Sequence, residues 1–370
     1  MIVAGEASGD LHGAELAREI LARDRHCEIF GIAGERMRSA GVRALYRTEE
    51  ITGLGLTELA STIRHTLGAL FKLGAILKRE KPDLLILIDF PEFNLLLAKT
   101  AKRAGVPVLY YIAPQVWAWR RGRIRKIIDR TDRLAVVFPF EAELYAQGGQ
   151  RATFVGHPLL DRTVPGDRAE TLARHGLPPQ ARLLAILPGS RRTEIRYLLE
   201  PMVAAARILA REHGLIPCLA RAHTLTPADL HRESGVALDG IRVIENDTYS
   251  IVAASEVALV ASGTATLETA LLGCPMVIAY RVSPITFSVA RLLIRGVRFI
   301  GMPNILAGRE IVPELIQRQV TSANLVRAAE GLLREPRHSA TVAALGALRT
   351  LLGTPGAAAR VAEMALDMMT

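Results

Sequence analysis

One carboxylate and three glycine-opened loops are the groups in this chain best placed to do chemistry. Asp89 follows the apolar run Leu84–Ile88 and precedes Phe90-Pro91-Glu92-Phe93-Asn94, which turns into a helical pattern. A carboxylate at the carboxyl end of a buried strand, facing a cleft, can take a proton from an acceptor hydroxyl. The same position also suits an Asx turn or a helix cap. The first loop, Gly5-Glu6-Ala7-Ser8-Gly9-Asp10, joins Ile2-Val3-Ala4 to the helical pattern Leu11, Leu16, Ile20, Leu21. In an open α/β sheet such a turn lies where ligands bind. Gly5, Gly9 and Gly13 lack the G-x-G-x-x-G spacing, and no G-K-[ST] follows, so neither common nucleotide loop is present. Glu6, Ser8 and Asp10 would occupy a strand end neighbouring Asp89, so that two polar loops line one wall. Gln115, Trp117 and Trp119, after Val106–Ile112, would form a third such loop, its tryptophans a sugar or acyl surface or core.

The second half holds two anion-binding candidates. Leu183–Leu187 runs into Pro188-Gly189-Ser190-Arg191, with Glu194 opening a helix. A glycine turn feeding a helix start presents free N–H groups and a positive dipole end, which suits phosphate. Arg191 or Arg192 would add charge-assisted hydrogen bonds. The other loop, Ala261-Ser262-Gly263-Thr264, closes Val257–Val260 and starts a helix carrying Glu268. Each loop alone is also an ordinary N-cap; paired on adjacent strand ends, they fit a nucleotide diphosphate. Glu268 would then accept from ribose hydroxyls, or stand as a solvated helix residue. No H-E-x-x-H, D-x-D or G-x-S-x-G string occurs, so metal and serine-hydrolase chemistry find no support.

Composition bounds the rest. With 370 residues, two domains are expected; half the residues are apolar, ample for a packed core. The net charge of +9 fits nucleic acid, an anionic membrane or a phosphorylated substrate equally. Its densest part lies between Arg120 and Arg133. A purely basic membrane- or nucleic-acid-binding protein would leave the paired phosphate loops unexplained. Cys27, Cys218 and Cys274 suggest neither a disulfide framework nor a metal cluster, as expected in a reducing cytoplasm. The chain opens on a strand without a signal-peptide pattern, and no apolar run reaches spanning length. The mean hydropathy, +0.23, leaves room for a lipid-touching surface.

The elements that must position these groups follow from the patterning. Strand-length apolar runs alternate with helical patterns: Leu84–Ile88, helix Asn94–Arg103, Val106–Ile112, Leu134–Phe138 and Thr153–Val155. A polar, Pro/Gly-containing linker follows Pro158. The alternation restarts with Leu183–Leu187, helix Glu194–Arg211, Ile216–Leu219, Val257–Val260, helix Ala265–Leu272 and Met276–Tyr280. This predicts a parallel sheet in each half, two α/β domains facing across a cleft. From Ala340 onward the chain reads as alanine-rich helix. Residues 54–79 are the clearest amphipathic stretch, with Leu67, Leu70 and Phe71 on its apolar face and Arg64, Lys72, Lys78 and Arg79 around it. Such a helix packs on a sheet or lies on an anionic bilayer. Phe287, Val289, Leu292 and Leu293 repeat the pattern among Arg291, Arg295 and Arg298.

Several strings, in order, resemble the lipid-A-disaccharide synthase family. They are Ala4–Asp10, Ile88–Asn94, Ala113-Pro114-Gln115-Val116-Trp117-Ala118-Trp119-Arg120, Gly156-His157-Pro158, Leu187–Arg191, Ala261–Glu268 and Pro303-Asn304-Ile305-Leu306-Ala307-Gly308-Arg309-Glu310. The one departure is a short lead before the first strand. The resemblance implies a GT-B fold of two Rossmann-like domains: residues 1–160 on the acceptor and membrane side, 161–338 binding the UDP-sugar, and 339–370 as helices crossing back to the first. It implies an inverting, metal-independent transfer without cofactor, from UDP-2,3-diacylglucosamine to 2,3-diacylglucosamine 1-phosphate. Asp89 would be the base, and Gly189, Ser190, Arg191, Ser262, Gly263, Thr264 and Glu268 would hold UDP, with Asn304 and Glu310 completing that wall. The partners would be the two lipid substrates and anionic inner-leaflet lipids, without nucleic acid; a homodimer is compatible. The enzyme would sit peripherally on the cytoplasmic face of the inner membrane. An isomerase like UDP-N-acetylglucosamine 2-epimerase, on the same fold, is the alternative.

Overall fold

The computed structural model describes residues 1–51, 59–114, 122, 124–149, 152–222, 224–283, 287 and 298–369. The chain divides into two compact units, Met1–Asp161 with Leu352–Thr370, and Arg162–Leu351.

The first unit is built on seven parallel strands: β1 (Ile2–Ala4), β2 (Phe30–Ala33), β3 (Arg43–Arg47), β4 (Leu85–Ile88), β5 (Val108–Tyr111), β6 (Arg133–Val136) and β7 (Ala152–Phe154). They are ordered β3-β2-β1-β4-β5-β6-β7. The four residues of β4 are all buried, as in a sheet covered on both faces. The helices α1 (Ala7–Arg23), α2 (Glu35–Ser39), α3 (Thr48–Ile51), α4 (Leu59–Arg79) and α5 (Pro91–Ala104) connect these strands. The strand order reverses between β1 and β4, which pair in register with Ala4 opposite Ile88. Gly5 and Asp89 therefore leave the sheet side by side, at the place where such sheets bind ligands.

The second unit repeats the plan with six parallel strands: β8 (Arg182–Leu187), β9 (Leu215–Arg221), β10 (Arg242–Glu245), β11 (Ser255–Ala261), β12 (Met276–Tyr280) and β13 (Glu314–Ile316). Their order, β10-β9-β8-β11-β12-β13, reverses between β8 and β11, where Leu187 pairs with Val260. Both phosphate-loop candidates thus leave neighbouring strands at this reversal. Core forms on both faces, one around Leu184, Ile186, Leu199 and Met202, the other around Ala185, Val260, Met276 and Ile278.

The crossing back to the first unit starts later than 339. The helix Arg337–Leu351 packs against the helices Thr264–Leu271 and Ser322–Leu333, so it belongs to the second unit. Of the two described helices that end the chain, it is Ala357–Met369 that packs on α1. Its start is held by the Asp161 carboxylate, which accepts from the Gly356 N–H at 2.6 Å, while Arg360 Nε donates to Val155 O at 2.9 Å. Within α4, Leu73 and Leu77 are fully buried and Leu70 packs on the core, whereas Leu67 (48% exposed) and Phe71 (76%) stand in solvent. The amphipathic stretch is therefore core on one side and exposed apolar surface on another. Its portion before Leu59, and most of the pattern from Phe287 to Arg298, lie outside the described residues.

Candidate active site

In the first unit Asp89 has φ +47° and Phe90 φ +46°, two consecutive non-glycine residues in the left-handed region. Each such residue costs on the order of 1–3 kcal/mol and persists where its surroundings over-determine it. Here the Asp89 carbonyl accepts from Tyr110 Oη at 2.7 Å and from Asn94 Nδ2 at 2.7 Å, and Asn94 Nδ2 also donates to Ile88 O at 3.2 Å. The Phe90 ring stacks on Phe93, centroids 5.3 Å apart, and covers Gly5 so closely that a Cβ there would lie 2.2 Å from Phe90 Cδ1. Gly5 is required by that ring, not by its own dihedral. Burial first, then the like charge of Glu6, push the Asp89 carboxyl above the usual carboxylate range. The Phe90 backbone N–H and His12 oppose that rise. A raised carboxyl held by a strained turn at a strand end has the character of a base.

The first loop divides into two fates. Glu6 and Ser8 are exposed at the start of α1. Asp10 is buried, and its Oδ2 and Oδ1 accept from the backbone N–H groups of Arg36 and Met37 at 3.0 and 3.1 Å. It thereby caps α2, whose own N-cap is Gly34, and both its carboxylate oxygens are engaged by backbone. His157 is similarly internal: Nδ1 accepts from Leu159 N–H at 3.2 Å, and burial pulls its ring down to about 3, so it stays neutral. Gln115, Trp117 and Trp119 lie outside the described residues.

The second unit holds a pocket of about 360 Å³ at the β8/β11 reversal. It is within the size range of small-molecule sites. Gly189, Ser190, Arg191, Ser262, Gly263, Thr264 and Glu268 all line it, together with Glu194, Thr248 and Tyr249. Its two loops are not equivalent. On the β8 side, Glu194 Oε2 accepts from the N–H groups of Ser190 (2.8 Å) and Arg191 (3.2 Å), half of a capping box. The carboxylate occupies the amides a phosphate would use. Gly189, φ +114°, makes this possible, since a Cβ there would lie 2.2 Å from Glu194 Oε2. On the β11 side, Gly263 is the N-cap of the helix Thr264–Leu271 and has no side chain to cap its first turn. That helix start, with its dipole, is the better anion site of the two.

The two arginines have different neighbours. Arg192 Nη2 lies 3.1 Å from Asp229 Oδ1, whereas Arg191 is exposed on the pocket wall with Glu194 Oε1 3.8 Å away. Glu268 is half-buried, and its Oε1 accepts from Tyr249 Oη at 2.7 Å. Asn304 and Glu310 are not among the lining residues. Asn304 is fully buried: Oδ1 accepts from Ile311 and Val312 N–H at 2.7 and 3.1 Å, while Nδ2 donates to Val312 O and Glu314 Oε1, each at 2.8 Å. All its capacity goes to the segment that leads into β13, and Glu310 is exposed just before that segment.

Tyr249 and Glu194 were not read as pocket residues from sequence. Tyr249 follows Asn246-Asp247-Thr248, a helix-start signal that could have marked it. Among the described residues one group has metal-ligand geometry, Glu212, His213 and Glu330. It lies just before β9, at the end of the sheet opposite the pocket, and Arg211 and Arg334 pair with its carboxylates.

The family model described as Lipid-A-disaccharide synthetase matches residues 1–352. The curated lipid-A-disaccharide synthases of Geobacter metallireducens and Syntrophus aciditrophicus are 46% and 45% identical, over 100% of this chain and 97% of each relative. Among solved structures, the glycosyltransferase of kitacinnamycin is similar with a TM-score of 0.67 at 15% identity, covering 100% of this chain and 98% of that one. The UDP-GlcNAc 2-epimerase from Neisseria meningitidis bound to UDP-GlcNAc gives 0.64 at 12%, covering 99% of each. At such identities those two show a shared fold, the GT-B arrangement of paired parallel sheets, and do not choose between transferase and epimerase. The full-length sequence identity does choose: the chain belongs to the lipid-A-disaccharide synthase family.

Proposed function

We propose that the protein transfers 2,3-diacylglucosamine from its UDP-activated form to the 6-hydroxyl of 2,3-diacylglucosamine 1-phosphate, giving a β-1,6-linked disaccharide 1-phosphate and UDP. The observation that carries the reading is the pocket at the β8/β11 reversal, with its uncapped helix start, in a chain of this family. UDP occupies that pocket. Its diphosphate faces the start of the helix Thr264–Leu271 and Arg191, and its ribose hydroxyls reach Glu268. Asp89 accepts the proton of the acceptor hydroxyl as that oxygen forms the new bond to the anomeric carbon. The bond from that carbon to the diphosphate oxygen breaks, its electron pair leaving with UDP. One displacement inverts an α-linked donor to a β product. Fixed donors around the diphosphate take up the developing charge without reorganising, and holding two lipids in register supplies further acceleration.

Glu6 and Ser8 stand on the acceptor side beside Asp89. Leu67 and Phe71, with Lys72, Lys78 and Arg79 on the same helix, meet anionic lipid or acyl chains at the cytoplasmic surface of the inner membrane. No described helix is long and apolar enough to cross a membrane. The test is incubation with both diacyl substrates, scoring disaccharide by mass spectrometry and UDP release. Disaccharide formed only when both are present is expected. UDP released at the same rate without acceptor, or the donor sugar epimerised alone, would overturn the proposal.

A further inference from the structure

Within the nucleotide pocket, one polar contact has no part in the reaction just described. Tyr249 comes from the helix Thr248–Ala254 and Glu268 from the helix Thr264–Leu271, and both line the same wall. The phenol donates to Glu268 Oε1 at 2.7 Å. A glutamate has three rotatable bonds, and an unanchored one at a pocket wall would sample several rotamers. The helix that carries Tyr249 is itself pinned at its start. Its N-cap Asp247 Oδ2 lies 2.9 Å from Arg174 Nη1 and 2.7 Å from His175 Nε2. A fixed phenol on a fixed helix therefore sets the direction of the Glu268 carboxylate, with acceptor capacity remaining on both oxygens.

We infer that Tyr249 is a positioning residue for nucleotide selection: it orients Glu268 to accept the two hydroxyls of a ribose, so that the pocket distinguishes ribonucleoside diphosphates from those lacking the diol. The inference rests on the assignment of UDP to this pocket. Burial, then the charge of Glu268, push the Tyr249 hydroxyl above its ordinary range, with Arg162 opposing. The phenol accordingly stays a donor throughout the physiological range. A carboxylate aimed in advance by a neutral donor loses less entropy on binding than one ordered by the ligand.

The test is calorimetric binding of UDP and of 2′,3′-dideoxy-UDP to the wild-type protein and to Tyr249→Phe, which keeps the ring and the packing. The wild type should prefer UDP. In Tyr249→Phe, UDP affinity should fall roughly tenfold, the scale of one lost hydrogen bond to a charged group. Affinity for the dideoxy analogue should change less than about twofold, since it never used the carboxylate. In turnover assays the donor KM should rise by a similar factor with kcat nearly unchanged. An equal loss for both ligands would make Tyr249 a shape residue and overturn the inference, as would no loss for either. A wild type that binds neither ligand would overturn the assignment of UDP as well, which separates the two failures.

Discussion

Replacing Asp89 by asparagine separates the chemical role of the side chain from its structural one. Asparagine keeps the size of the residue and tolerates φ +47°. The bonds from Tyr110 Oη and Asn94 Nδ2 go to the main-chain carbonyl and survive the change. The backbone cost is thus near zero. What is lost is a proton acceptor, worth about 10²–10⁴ in rate, or about 3–5 kcal/mol of barrier. Stability should move the other way. Because the folded state raises the Asp89 carboxyl, ionising it at neutral pH weakens the fold. Asp89→Asn should therefore be at least as stable as the wild type at neutral pH, with the difference vanishing as pH falls through the raised range to the ordinary carboxylate range. Asp89→Ala would lack asparagine's tolerance of this conformation and should cost about 1 kcal/mol more. The assays are disaccharide formation, UDP binding and urea denaturation at two pH values. The wild-type rate should fall on the acid side above the usual carboxylate range, and Glu6→Gln, by removing a like charge, should shift that fall to lower pH. Turnover of Asp89→Asn within about threefold of wild type would refute the base assignment. A loss of UDP binding in parallel with turnover would show that the turn, not the carboxylate, was damaged.

Asn304→Ala should lower stability by about 3–5 kcal/mol, because the buried N–H groups of Ile311 and Val312 lose their acceptor. UDP affinity of the folded fraction should stay unchanged; denaturant titration with calorimetry checks both, and weakened affinity at full stability would return Asn304 to the nucleotide wall. The double replacement of Leu67 and Phe71 by serine should reduce flotation with anionic vesicles while leaving the thermal midpoint nearly unchanged, because both side chains stand in solvent. Unfolding instead would show that the exposed face is covered core.

The strands that are legible as apolar runs are those buried on both faces, such as β4, β5, β8, β11 and β12. β2 is interrupted by Gly31, and β3, β10 and β13 carry Arg43, Arg47, Arg242, Glu245 and Glu314. β3, β10 and β13 are sheet edges, where charge is expected and the apolar signal fades, whereas the fourth edge, β7, carries no charge and is legible as Thr153–Val155. The site follows a different logic. Residue type and the strand-end position single out Asp89, the Ser262–Thr264 loop and Glu268 as candidates. They could not tell which polar groups folding would leave available, because that depends on which backbone groups, near or far in sequence, the fold brings within reach. Asp10 caps a helix that starts 25 residues later (35 − 10). Glu194 turns back on its own loop and fills an anion position that looked open, while Asn304 closes a turn on itself. In this fold a candidate for ligand binding is a residue whose hydrogen-bonding capacity outlasts folding. Glu268 meets that condition with one oxygen anchored, and Asp89 meets it because the Tyr110 and Asn94 bonds go to its carbonyl and not to its carboxylate.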